Sequence, residues 1–312
     1  MDRNTYNAQL PIFVYGALKP DEISWPLIRP YVARYEEARL EGFELAIVDG
    51  VPGALVSKVR KLSGYMLDLN DAEEAYKTIS AFENVPNSYV WEQVTVGDKS
   101  ANLLVLPSDP RTRVDYVSDW SAADDVYFGN LIPLSFVKIQ VCRDRLTNKF
   151  PDTDYLEAFL ELQSIFMMLW VLTERIYLFR SEPTRGRKVD SQKSMKDICA
   201  VLYDKPEWFK ALSEAGINNQ IGIRSNTNPH SGDPIRTAQG FPGWYKARNN
   251  IVHRGKGAQK EVGSLIEAAI DMHNTLAILM QIISPSVKKK WEQLTPQENI
   301  PYASWLYQIK KV

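Results

Sequence analysis

Lys149-Phe150-Pro151-Asp152-Thr153-Asp154-Tyr155-Leu156-Glu157 marks the point at which the apolar residues of this chain change period. Upstream, from Pro11 to about Gln140, they come in short runs cut by turn residues. Ile12–Tyr15 ends at Gly16, and Phe43–Val48 runs into Asp49-Gly50. Gly53–Val56 and Leu62–Leu67 follow, and Val90–Val96 and Ala101–Leu106 flank Gly97-Asp98. That spacing predicts the strands of a small mixed barrel. One helix interrupts them over Asp71–Glu83, begun by an Asn70/Asp71 cap with acidic residues in its first turn.

Downstream of Pro151 the period is helical. Asp154-Tyr-Leu-Glu157 has capping-box spacing, and the helix to Arg180 is apolar on nearly every side at its centre, so it needs partners on several faces. Shorter helices are expected over Ser191–Tyr203 and Pro206–Ala215, and a long polar loop over Gly216–Pro242. Helices over Pro242–Arg254 and Ala258–Ser284 complete a bundle that stops at Pro285. The expected fold class is α+β, a small mixed β-barrel over residues 1–140 followed by an all-α helical bundle over 150–285. A basic and aromatic tail, residues 286–312, carries Lys288-Lys-Lys290, Trp291, Trp305 and Tyr307.

Lys and Arg total 37 against 38 Asp and Glu in 312 residues. A phosphate-rich partner would therefore have to be met by a local patch. Cys142 and Cys199 lie far apart without CxxC or His-rich spacing, which indicates neither a disulfide framework nor a zinc site. No cofactor or metal is called for. The first nine residues are polar and lack a secretory core, and the longest apolar run, Ile165–Leu172, falls short of the roughly 20 residues that span a bilayer. The expectation is a cytoplasmic protein with no membrane partner.

Arg248-Asn249-Asn250-Ile251-Val252-His253 puts a permanent cation and a titratable imidazole within two turns of one helix, in a chain with three histidines. A guanidinium can hold phosphate oxygens in a fork, and an imidazole near neutrality can take a proton and return it. Together they suit attack of a ribose 2′-hydroxyl on its neighbouring phosphate without a metal. In the setting Trp244–Gly257 this Arg-x4-His resembles the HEPN superfamily of helical domains. The resemblance implies a metal-independent endoribonuclease, dimeric through its helices. Arg248 would stabilise the phosphorane and His253 would move protons, while Asn249 and Glu174 position them. Arg185, Arg187, Lys188, Lys246, Arg254 and Lys256 would form a basic track for RNA. The plain alternative is that His253 caps a helix end and Arg248 is a solvated or ion-paired residue.

Phe13-Val-Tyr15-Gly16-Ala17-Leu18-Lys19-Pro20, with Gly42-Phe43, Pro52, Gly64-Tyr65, Phe82-Glu83, Tyr89 and Trp91, looks like the γ-glutamylcyclotransferase-like (AIG2-like) family. That family's Tyr-Gly-x-Leu turn offers backbone N–H groups to an anionic ligand, and a glutamate acts as general base and acid. The resemblance makes Tyr15, Gly16, Ala17, Leu18 and Glu83 a ligand pocket. Gly16 suits close backbone approach, and the aromatic flanks of Glu83 suit a raised carboxyl pKa. Two positions depart from the family pattern: Ala17 stands where a threonine or serine is usual, and Ser80 where an acidic residue is usual.

The leading functional expectation is an endoribonuclease whose amino-terminal domain senses a metabolite or restrains it, in the manner of a toxin or phage-defence effector with an antitoxin partner. The alternatives are a γ-glutamyl cyclotransferase-like enzyme whose helical half serves only to dimerise it, and a non-catalytic binding protein.

Overall fold

The computed structural model describes residues 5–48, 50–108, 114–117, 119–147, 153–180, 221–223, 235–237, 244, 247–249, 251–252 and 262–294. The helices expected over 191–203 and 206–215 lie outside the described residues. So do His253 and the basic residues Arg185, Arg187, Lys188, Lys246, Arg254 and Lys256. The chain divides into two compact units. The first holds residues up to Asp125 and draws in Phe179 and Ser284–Ser286; the second holds most of the helices.

The first unit is built on six strands: β1 (Ile12–Val14), β2 (Val32–Val48), β3 (Val51–Leu69), β4 (Val90–Val96), β5 (Lys99–Val105) and β6 (Val114–Val117). Their order is β4-β5-β1-β3-β2-β6. The sheet is mixed because β1 runs parallel to β5 and antiparallel to β3. Where the sequence suggested a small mixed barrel, the described residues form one six-stranded mixed sheet.

The β2–β3 ladder is irregular at one point. In the β2–β3 ladder, Glu41 pairs with Lys61 but Phe43 pairs with Val56, so Gly42 opposes residues 57–60, which stand outside the register. Gly42 has φ +83°, open to glycine at little cost. Beyond this bulge β3 returns far enough that the Leu106 N–H donates to the Ala54 carbonyl at 3.0 Å. The runs read as separate strands, Phe43–Val48, Gly53–Val56 and Leu62–Leu67, are thus halves of two long strands.

Helix α2 (Ala72–Phe82) follows short α1 (Trp25–Ile28) and covers one face of the sheet. Asp71 caps α2, its side chain accepting from the Glu74 N–H at 3.2 Å, and Glu73 and Glu74 sit in the first turn where the helix dipole favours anions. Tyr76 and Ile79 enter a core with Ile12, Val14, Leu67, Trp91 and Leu104. Buried polar groups there are matched: Asn102 Nδ2 donates to Tyr76 Oη at 2.6 Å and to the Asn7 carbonyl at 2.8 Å.

In the second unit, helix α3 (Leu131–Thr147) replaces the strand character read up to Gln140, and α4 (Thr153–Arg180) lies where the sequence placed a long helix. The ion pairs Lys138–Glu161 (2.7 Å) and Arg145–Asp154 link them in antiparallel sense. Within the expected 216–242 loop, β7 (Ile221–Ile223) and β8 (Ile235–Thr237) form a two-stranded pair. Helix α5 (Val262–Ile283) is almost wholly buried. It carries His273, whose Nδ1 lies 2.9 Å from the Ser135 hydroxyl on α3. Pro285 does not stop the bundle: it opens α6 (Pro285–Gln293), a position where its missing N–H costs no intrahelical bond. The start of the expected tail is therefore helical, and buried Trp291 donates to the Gly129 carbonyl at 2.8 Å.

Candidate functional site

After β1 the chain turns sharply through Tyr15-Gly16-Ala17-Leu18. Tyr15 is extended, Gly16 has φ +70°, and Gly16–Leu18 form one buried 3-10 turn. A Cβ on Gly16 would lie 2.5 Å from Pro52 Cγ, so both conformation and space demand glycine.

Two phenols fix the opposite wall. Tyr15 Oη donates to the Leu104 carbonyl at 2.6 Å and accepts from the Ala54 N–H at 2.9 Å. Tyr89 Oη donates to the Pro52 carbonyl at 2.8 Å. Both reach the returning end of β3, which the bulge at Gly42 makes available. Tyr89 matters here more than its reading as one position of a family pattern implied; an aromatic that re-enters the sheet just after the glutamate was the available signal.

Glu83 caps the carboxyl end of α2, its N–H donating to the Ile79 carbonyl at 2.8 Å. Burial pushes its carboxyl up from 4.5 to about 7. Its negative charge in turn helps to raise the Tyr15 and Tyr89 phenols, after their own burial, which places the three groups within electrostatic reach of one another. Tyr15, Tyr89 and Glu83 thus influence one another electrostatically, and burial raises the Glu83 carboxyl towards neutrality.

Both departures from the family pattern have structural roles. Ser80 Oγ accepts from Trp91 Nε1 at 3.0 Å, anchoring α2 to β4. Ala17 is buried, and its carbonyl accepts from the Ser24 N–H at 3.0 Å. Elsewhere in this unit, an open recess of about 440 Å³ is lined by Lys19, Glu37, Arg39, Tyr65 and Asp119. Lys19 pairs there with Asp119, and Tyr65 Oη donates to Glu37 at 3.2 Å. No group of three or more His, Cys, Asp or Glu among the described residues is placed to hold a metal ion.

Of the expected ribonuclease site, three residues are described. Arg248 Nη1 donates to Asn249 Oδ1 at 3.0 Å on a helical segment. Glu174 Oε1 accepts from Trp170 Nε1, one turn away on α4, at 2.7 Å. His253 lies outside the described residues.

Residues 12–122 match the family model described as gamma-glutamyl cyclotransferase, AIG2-like. The amino-terminal domain is AIG2-like. The match ends before α3 and concerns this domain alone. Among solved structures, the AIG2-like domain is similar to an uncharacterized protein, PH0828, from Pyrococcus horikoshii. That protein is 21% identical over 35% of this chain and 88% of its own, with a TM-score of 0.30. An aig2-like protein from Mus musculus is 17% identical over 36% and 88%, with a TM-score of 0.33. At5g39720.1 from Arabidopsis thaliana is 18% identical over 46% and 95%, with a TM-score of 0.28. No curated protein matches.

Proposed function

We propose that the AIG2-like domain is a cyclotransferase acting on γ-glutamyl amines, with Glu83 as general base and then general acid. Glu83 takes a proton from the substrate's α-amino group, whose nitrogen attacks the side-chain carbonyl carbon. The bond from that carbon to the leaving nitrogen breaks, Glu83 returns the proton to that nitrogen, and 5-oxoproline and a free amine are released. The Gly16 and Ala17 N–H groups supply donors for a carboxylate or for the oxyanion of the tetrahedral intermediate. Tyr15 and Tyr89 hold the Pro52–Ala54 wall in place through their hydrogen bonds.

The observation that supports this reading is the glycine turn packed against Pro52 and walled by the hydrogen-bonded Tyr15 and Tyr89 phenols, with Glu83, its carboxyl raised by burial to about 7, within electrostatic reach of both phenols. A base that titrates near the working pH combines an available ionised form with a useful drive to transfer the proton. Nothing comparable supports the ribonuclease expectation among the described residues.

The test is release of 5-oxoproline from γ-glutamyl amines by the full chain. Glu83→Gln should abolish it, and His253→Ala should leave it unchanged. Turnover that survives Glu83→Gln, or that depends on His253, would overturn the assignment.

A further inference from the structure

The turn that bears Gly16 is held by more than its own strand. After Leu18 the chain folds back: the Glu22 N–H donates to the Lys19 carbonyl at 3.1 Å, and the Ser24 N–H donates to the Ala17 carbonyl at 3.0 Å. Residues 16–24 are therefore one compact loop, and whatever fixes Glu22 and Ser24 also fixes the Gly16–Leu18 backbone. Both side chains are polar and buried, so each needs partners within the protein. Those partners come from far along the chain. Ser24 Oγ donates at 2.7 Å to the Phe179 carbonyl, in the last turn of α4, where helix carbonyls have no intrahelical partner. Glu22 Oε2 accepts from the Ala122 N–H at 2.9 Å and from Ser286 Oγ, in the first turn of α6, at 3.2 Å.

Residues 119–122 tie these contacts together. Asp119 pairs with Lys19 and Ala122 holds Glu22, while the Trp120 ring between them stacks on Phe179 with centroids 6.0 Å apart and planes 3° from parallel. Burial raises the Glu22 carboxyl above the usual range, and the Ala122 N–H, Lys19 and the Ser286 hydroxyl pull the other way by favouring its ionised form. Ser284 Oγ, itself buried, lies 3.2 Å from Ser286 Oγ; because the Ser286 hydrogen goes to Glu22, Ser284 is the donor of that bond. A buried network satisfied in this way favours a single arrangement of the loop it holds. Phe179, Ser284 and Ser286 belong to the same compact unit as the turn, yet they lie beyond residues 12–122, the stretch that matches the AIG2-like family.

We infer that Glu22 and Ser24 are positioning residues that hold the Gly16–Leu18 turn through Ser286 and Phe179, so that the site of this chain is completed by residues outside its AIG2-like stretch. The consequence for turnover rests on the cyclotransferase reading; the consequence for the turn does not. Amide hydrogen exchange on the full chain, read by mass spectrometry, reports the turn directly. In Ser24→Ala and Ser286→Ala, exchange across residues 15–25 should rise about tenfold or more, while β5 and α2 exchange as in the wild type. Glu22→Ala, which strands the buried Ala122 N–H, should do the same, and Glu22→Gln, whose amide oxygen still accepts from it, should restore most of the protection. Ser164→Ala, at an exposed hydroxyl bonded only within α4, is the control and should change nothing. On γ-glutamyl amines, Ser24→Ala and Ser286→Ala should lower kcat/KM about tenfold or more by displacing the turn's donors. Unchanged exchange at the turn would overturn the inference, as would a rise shared equally by β5 and α2, or wild-type turnover in both serine variants. Exchange that follows the expected pattern in a chain that releases no 5-oxoproline would leave the brace standing and remove the cyclotransferase reading alone.

Discussion

Replacing Glu83 by glutamine removes a carboxyl that the fold keeps in the wrong charge state for an alkaline solvent. In the unfolded chain this group titrates near 4.5; in the folded domain burial holds it at about 7. The sign follows from linkage. A raised folded pKa contributes stability that is complete below 4.5 and lost as pH rises through about 7, because the buried carboxylate must then be ionised. At 1.36 kcal/mol per tenfold change in the proton equilibrium, the full displacement is worth about 3 kcal/mol. Between pH 5 and pH 8.5 the wild type should lose about 2.5 kcal/mol that Glu83→Gln, neutral throughout, does not lose. Other groups titrate alike in both proteins and cancel in the comparison. The assay is thermal unfolding of both chains at the two pH values. The advantage of Glu83→Gln should grow by roughly 5–10 °C on going to pH 8.5. An advantage that is the same at both pH values, or that shrinks as pH rises, would refute the claim that Glu83 is a desolvated carboxyl. The base assigned to the proposed reaction would then lose its physical warrant.

The same titration should appear in catalysis: kcat/KM for 5-oxoproline release should rise with an apparent pKa of about 7 as Glu83 ionises, and a pH profile flat from 6 to 8 would contradict it. Gly16→Ala should destabilise the domain by about 2 kcal/mol or more, since it meets both a φ of +70° and Pro52, and the melting temperature reports this. Ser80→Ala should cost about 1–2 kcal/mol by leaving Trp91 Nε1 without its acceptor, with a change in tryptophan emission as the local readout. Wild type and His253→Ala should be indistinguishable on single-stranded RNA. Cleavage lost with the imidazole would give the helical half an activity of its own.

How much of this was legible depends on whether the relevant contact is local. The Asp71 cap, the Gly97-Asp98 hairpin between β4 and β5, and the desolvated Glu83 are settled within a few residues, and the reading found all three. The first half of β2 gave no signal. In Val32–Glu41 only Val32 and Leu40 are buried; the strand is held by its ladder to β3, with ion pairs such as Arg34–Asp68 and Lys61–Glu41 beside it. The parallel pairing of β1 with β5 joins residues about ninety apart, which no periodicity encodes. Helix α3 was missed because Pro133 and a mixed sequence hide its start, where proline in the first turn is tolerated. Pro285 misled for the same reason in reverse, since it begins α6. The Arg248–His253 pattern is legible as spacing alone; Arg248 donates to Asn249, and His253 lies outside the described residues.

Residues 57–60, which stand outside the β2–β3 register opposite Gly42, leave the two arms of the long hairpin with independent register. A one-residue insertion between Ser57 and Arg60 should be absorbed there, with Ala54 and Leu67 still facing inward. The same insertion between Leu62 and Leu67 would turn every following side chain of β3 to the opposite face. Length variation in this chain is therefore tolerated at one short stretch of the ribbon and forbidden a few residues later, which makes 57–60 the place to graft a tag or reporter without disturbing the pocket.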